Sequence, residues 1–238
     1  MLEEPAWGFD AHLDTNDGKK LFHCGGVSLY ASPATGSSSW SVGPGLVWKP
    51  TSSLSLEVRP ALDRCVEDAQ YVARVAAPGE VPADFGGSRY VFARLDQTTV
   101  SAGIRFNVCL TPNLSLQTYA QPLISAGSYS DFKELARSRS YEFTHYGAAY
   151  ERAAGRVSPA GGTPFGLGDP DFNFKSLRGN AVLRWEYRPG SVLYFVWTQE
   201  RSDTQDIGDL EFGPSTRRLF DAQANDIFLV KATYYLDL

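Results

Sequence analysis

The feature that most constrains this chain is alternation with a period of two. From Val100 to Leu110 the even positions are Val100, Ala102, Ile104, Phe106, Val108 and Leu110, and the odd positions are Ser101, Gly103, Arg105, Asn107 and Cys109. In an extended strand these two sets point to opposite faces. A tight turn at TPN follows, and Leu114, Leu116, Thr118 and Ala120 then alternate with Ser115, Gln117, Tyr119 and Gln121. Pairing Leu110 with Leu114 puts both apolar sets on one face, so the hairpin agrees with its own register.

The same alternation recurs along Trp7–Leu13, Leu54–Arg59, Leu183–Arg188 and Phe228–Leu236, and Trp40, Val42, Leu46 and Trp48 share a face across the turn PTSS. It predicts roughly eleven strands. Their spans are 6–14, 20–31, 40–49, 54–66, 69–76, 88–95, 98–110, 114–129, 173–188, 191–201 and 225–237. Helical periodicity is confined to DFKELARSR at 131–139. The connections TNDGKK, PTSS, TPN and PG are short, whereas 32–39, 130–172 and 202–224 are long and rich in Gly, Ser, Pro and Asp. The segment 77–87 breaks this rule by falling, although longish, among the short turns. Short turns at one end and long loops at the other are the habit of transmembrane barrels, whose strands need about 9–11 residues to span.

Composition narrows the class. Aromatics make up 13% of the 238 residues, with 22 Gly, 14 Pro and one Met, a mix suited to strands and turns. No apolar run is long enough for a membrane helix, and a net charge of -5 argues against a nucleic-acid partner. The three cysteines, Cys24, Cys65 and Cys109, have no zinc-ligand spacing and read as small strand residues. The acidic start MLEEPAWGFD has no signal core, which predicts either a protein that is not exported or a chain that starts downstream of its true beginning.

Lipid on the apolar face is favoured by Trp7, Trp40, Trp48, Tyr187 and Tyr234 near strand ends, where interfacial girdles form. A wet lumen on the other face is favoured by charges deep within strands. The candidate lumen-facing residues are Glu57, Arg59, Arg94, Arg105, Asn107, Gln117, Tyr119, Arg178, Arg184, Glu186, Phe195 and Trp197. Phe195 and Trp197 enter this set by counting Arg184 against Phe195 through the Pro189-Gly190 turn. Near arginines they would stack on sugars or anions. In the competing reading the lumen is plugged and its Arg and Glu pair with one another.

Other constellations are weak. His12 and His23 flank the Asp17-Gly18 turn and would need a third ligand to hold a metal. Asp169 and Asp171 in GLGDPDF suit calcium or, more simply, a turn. His145 lies in a long loop. GxSxG, HExxH, P-loop and Rossmann patterns are absent. The sequence therefore names no catalytic residue, metal or cofactor.

The segments YVFARLDQTTVSAGIRFN (90–107), LTPNLSLQTYAQPLISAGSYSDFKEL (110–135), NFKSLRGNAVLRWEYRPGSVLYFVWTQER (173–201) and FLVKATYYL (228–236) resemble the C-terminal end of a bacterial barrel family catalogued as domain of unknown function 5916. Residues 1–87 match more loosely. The resemblance implies an outer-membrane barrel which, in full-length members, follows a signal peptide and a family-nine-type carbohydrate-binding module. On this reading residues 1–238 form one all-β, antiparallel up-and-down transmembrane β-barrel domain. It would be incomplete, the C-terminal portion (about 10–12 strands) of a larger barrel, with 130–172 and 202–224 as extracellular loops. The expected location is the outer membrane of a Gram-negative bacterium. The expected partners are outer-membrane lipid, carbohydrate and the missing N-terminal strands, and the expected role is a channel, transporter or surface binder. Two alternatives stay open, a membrane-embedded hydrolase and a soluble all-β sandwich.

Overall fold

The computed structural model describes residues 5–160 and 162–236. Its main sheet is an antiparallel meander in sequence order. Strands β1 (Trp7–Asp14), β2 (Leu21–Ser32), β3 (Ser37–Thr51), β4 (Leu54–Ala76), β5 (Ser88–Thr111) and β6 (Leu114–Leu135) lie side by side. A short β7 (Phe143–His145) pairs with the far end of β6. Three two-residue strands, β8 (Tyr150–Glu151), β9 (Arg156–Val157) and β10 (Phe165–Gly166), form a small separate sheet. The main sheet resumes with β11 (Phe172–Arg188), β12 (Ser191–Gln205) and β13 (Asn225–Thr233), and helix α1 (Phe212–Asp221) lies between the last two. No second large layer faces this sheet among the described residues, so the sandwich alternative does not hold. The sheet is all-β and antiparallel, and β1 and β13 each pair on one side only, so its ends do not meet.

The sheet has nine long strands where the sequence predicts eleven, because two expected pairs of strands are continuous. Segments 54–66 and 69–76 join in β4 across bulges at Glu67/Gln70 and Tyr71/Ala73. Segments 88–95 and 98–110 join in β5, whose alternation runs unbroken. A bulge inserts a residue and resets the side-chain phase, so one strand reads as two. This merger also removes the loop exception. The 77–87 connection now falls with 33–36, 136–171 and 206–224 at one end of the sheet, opposite the turns 15–20, 52–53, 112–113 and 189–190.

The helix expected at 131–139 is instead the end of β6. Asp131 takes a left-handed φ of 48° in a bulge opposite Phe92/Arg94, and this phase break imitates helical spacing. The true helix, α1, carries Pro214 in its first turn, where the missing N–H is not needed, and buries Ser215 and Leu219 four residues apart.

The core sits at the long-loop end, against the polar face. Val91, Ala93 and Phe132 from β5 and β6 pack with Tyr146, Val157 and Leu167 from the segment 136–171. The chain thus folds its longest connection back over its own sheet. At the opposite end a cavity of about 480 Å³ is lined both by the 15–20 turn and by Ser115 and Gln117 of β6. A flat sheet would hold β2 and β6 roughly 19 Å apart, four strand spacings of ~4.8 Å. The sheet therefore curls with its polar face concave.

Candidate functional site

The register fixes which side chains share a face, because directly paired residues point the same way. On the concave face Glu57 stands opposite Arg105, and Arg105 opposite Tyr119. The Glu57 carboxylate accepts from Arg59 Nε at 2.6 Å and from Arg105 Nη1 at 2.9 Å. The Arg105 guanidinium also lies 5.3 Å from the Tyr119 ring centroid. Asn107 and Gln117 are paired one step along. Further across, Arg178 Nε meets Glu200 at 2.8 Å and Arg184 Nη2 meets Glu186 at 3.0 Å. Nine of the twelve sequence-selected residues therefore share this face and form a ladder of self-neutralising pairs.

The other three do not. Arg94 has the same parity as Asp96 and Val100 on the unbroken β5, which puts it on the opposite face, and it pairs there with Asp68 at 3.2 Å. Phe195 pairs with Leu183, and Trp197 with Ala181, so both belong to the apolar face. A bulge between Glu186 and Arg188 shifts the hairpin by one residue, and Arg184 faces Tyr194 instead. Such a slip moves every side chain of β12 to the other face. The two aromatics expected to stack on sugars are thus part of the apolar wall.

That wall is uncovered. Trp7, Trp40, Trp48 and Trp185 are 54%, 38%, 45% and 47% exposed, and Phe228 is 76% exposed. The apolar region ends at charged residues, and its edge is oblique to the strands. On β4 the first charge beyond Leu62 is Arg64. On β11 it is Lys175, whose lane runs through Ile124 and Val100 to Leu62. On β13 it is Asp226, whose lane runs through Gln199, Gly179, Ala120 and Ile104 to Val58. The edge therefore drops six residues, roughly 20 Å, over five strand spacings, roughly 24 Å, which inclines the strands to the band by about 40°.

Above the band, charges are buried in built clusters. Arg89 is 7% exposed and clamps both oxygens of Glu134, at 2.7 and 2.6 Å, while its other nitrogen reaches Glu80 at 3.1 Å. The hydroxyl and backbone N–H of Thr163, then Arg89, hold the Glu80 carboxyl down to about 2. Burial, then the charge of Glu134, pushes the Tyr146 phenol up. Lys133, 1% exposed, is satisfied by Asp68 at 2.7 Å and Asp131 at 3.3 Å. These clusters went unread in the sequence because their partners come from distant segments.

The weaker constellations are also decided by register and pairing. His12 faces Gly26 on the concave side, and its Nε2 lies 3.0 Å from Asp14. His23 faces Leu46 on the apolar side, so the two histidines point apart. Arg152 Nη1 lies 2.8 Å from both Asp169 and Asp171, so a guanidinium stands where calcium would bind. His145 Nδ1 meets Asp131 at 2.7 Å, but no hydroxyl or thiol joins its ring among the described residues. No cluster of three metal-ligating side chains occurs among them either.

Together these features define a protein class: a single curved antiparallel sheet with a charged concave face, an apolar convex face and loops folded over one end. The chain belongs to the family described as Domain of unknown function (DUF5916), whose model matches residues 2–238. No curated protein and no solved structure matches it.

Proposed function

We propose that this chain forms the wall of a bacterial outer-membrane β-barrel, its convex face in contact with acyl chains and its concave face lining an aqueous interior. The observation that carries this reading is the oblique margin of the apolar face. An inclination of about 40° falls within the ~35–45° strand tilt of such barrels. From Leu54 to Leu62 the band runs eight residue steps, roughly 26 Å along the strand and about 20 Å once tilted. The end side chains bring it close to the ~25 Å apolar belt of outer-membrane barrels. Tryptophans on the convex face add girdle-like anchors.

On this reading the protein passes polar solutes or binds them at its surface. The Arg–Glu ladder gives the interior a mixed, largely neutral character, and the 136–171 segment narrows the long-loop mouth. An association with carbohydrate stays within the proposal as the solute class implied by family resemblance. With Phe195 and Trp197 on the wall, sugar contacts would fall to Tyr119 and the polar ladder.

Spin labels placed singly along 100–110, in a variant whose native cysteines are serine, test the barrel. In reconstituted protein, even positions should collide with oxygen and odd ones with a polar chelate. Equal accessibility at odd and even positions would defeat the proposal. Single-channel currents in planar bilayers would support passage, and a silent bilayer with saturable glycan binding would support surface binding. Neither current nor binding would remove both roles.

A further inference from the structure

Beyond the barrel reading, we infer that the cavity at the short-turn end of the concave face is an anion site for phosphate-type ligands. It is the pocket of about 480 Å³ that established the curvature. Lys19 and Lys20 enter it from the 15–20 turn and Lys49 from β3, with Asp17 as the one carboxylate among its lining residues.

The contrast with the rest of the face carries the argument. Elsewhere on the concave face the arginines of the ladder are matched, with Arg59 and Arg105 on Glu57, Arg178 on Glu200 and Arg184 on Glu186. At the cavity three ammonium groups converge on one carboxylate, and none of the three forms an ion pair among the described residues. Lys49 is held instead over the Phe22 ring, 5.0 Å from its centroid, which positions a cation without neutralising it. Like charges crowded into a concave, low-dielectric wall focus the potential and raise the local concentration of counter-ions.

The neutral lining supplies donors. Ser53, Asn107 and Gln117 border the same space. Ser53 is tied to Thr51 at 3.1 Å and Asn107 to Ser55 at 3.3 Å, contacts that orient them and leave further donor capacity. Flexible ammonium point charges beside hydroxyl and amide donors suit the oxygens of a di- or polyanionic phosphate. The volume admits a pyrophosphate-sized group, either free or as the headgroup of a lipid drawn to the rim.

Calorimetric titration of pyrophosphate into the detergent-solubilised protein tests the inference without requiring insertion or conductance, so it succeeds or fails independently of the barrel proposal. Saturable binding is expected, weakened by salt. It should fall at least about tenfold when Lys19, Lys20 and Lys49 are all changed to Gln, and stay unchanged in Lys231→Gln on the same face. Circular dichroism establishes that the triple variant is folded, and Lys20→Glu provides a milder second variant expected to weaken binding in the same direction. Flotation with phosphatidylglycerol against phosphatidylcholine vesicles separates the two ligand sources, since binding to phosphatidylglycerol alone assigns the site to a headgroup. Binding of neither pyrophosphate nor phosphatidylglycerol, or equal binding by wild type and triple variant, would overturn the inference.

Discussion

Placing arginine at Ile104 is the most direct challenge to a lipid-facing convex wall. Ile104 stands between Val58 of β4 and Ala120 of β6, and Val58 is midway between Leu54 and Leu62. Either margin of the band is four residues away along β4, about 10 Å after tilt, which exceeds the reach of an arginine side chain. Ile104→Arg should therefore cost about 2–4 kcal/mol in a bilayer, whereas Leu110→Arg, beside the 112–113 turn, should cost about 0–1. A gap of about 2–3 kcal/mol is roughly 30- to 150-fold in the folding equilibrium. Denaturant titration of the protein folded into lipid vesicles reads both variants against the wild type. Equal costs at the two positions would refute the reasoning. So would an Ile104→Arg protein that is monomeric and fully folded without detergent.

Three further outcomes follow from the clusters at the long-loop end. Phe132→Ala should cost about 3–5 kcal/mol, because Phe132 is buried where β6 meets the 136–171 segment, and limited proteolysis should then cut that segment faster. The hold of Glu80 on Thr163 and Arg89 is fully present above the ordinary carboxylate value of 4.5 and is lost as pH falls through about 2. Hydrogen exchange around Thr163 should rise across that window, and Glu80→Gln should abolish the pH dependence. Calcium should leave the thermal midpoint unchanged, since Arg152 already neutralises Asp169 and Asp171; a rise on adding calcium would contradict this.

The alternating runs made most of the sheet readable. In 100–120 and 54–59 the sequence carries both the strands and their pairing, because each residue reports its face independently. What escaped was displaced by single residues. The bulges in β4 and β6 broke continuous strands and invented a helix at Asp131–Arg139. The bulge at Tyr187 carried Phe195 and Trp197 to the other wall. A bulge leaves little mark in composition and shows itself only through the partner strand. The loop clusters were hidden for a different reason. Arg89, Glu134, Glu80 and Thr163 are scattered along the chain and meet only once the sheet exists.

The two rims of the sheet impose a rule on how it can be completed. β1 and β13 both run from the long-loop end towards the short-turn end. A seam made by joining them directly would be a parallel pair within an otherwise antiparallel wall. Each antiparallel strand set between them reverses direction once, so an all-antiparallel ring needs an odd number of additional strands. A second copy related by an axis along the cylinder obeys the same rule, because it too brings β1 beside a like-running β13. Direction along the rim, more than any side chain, decides what can close this wall.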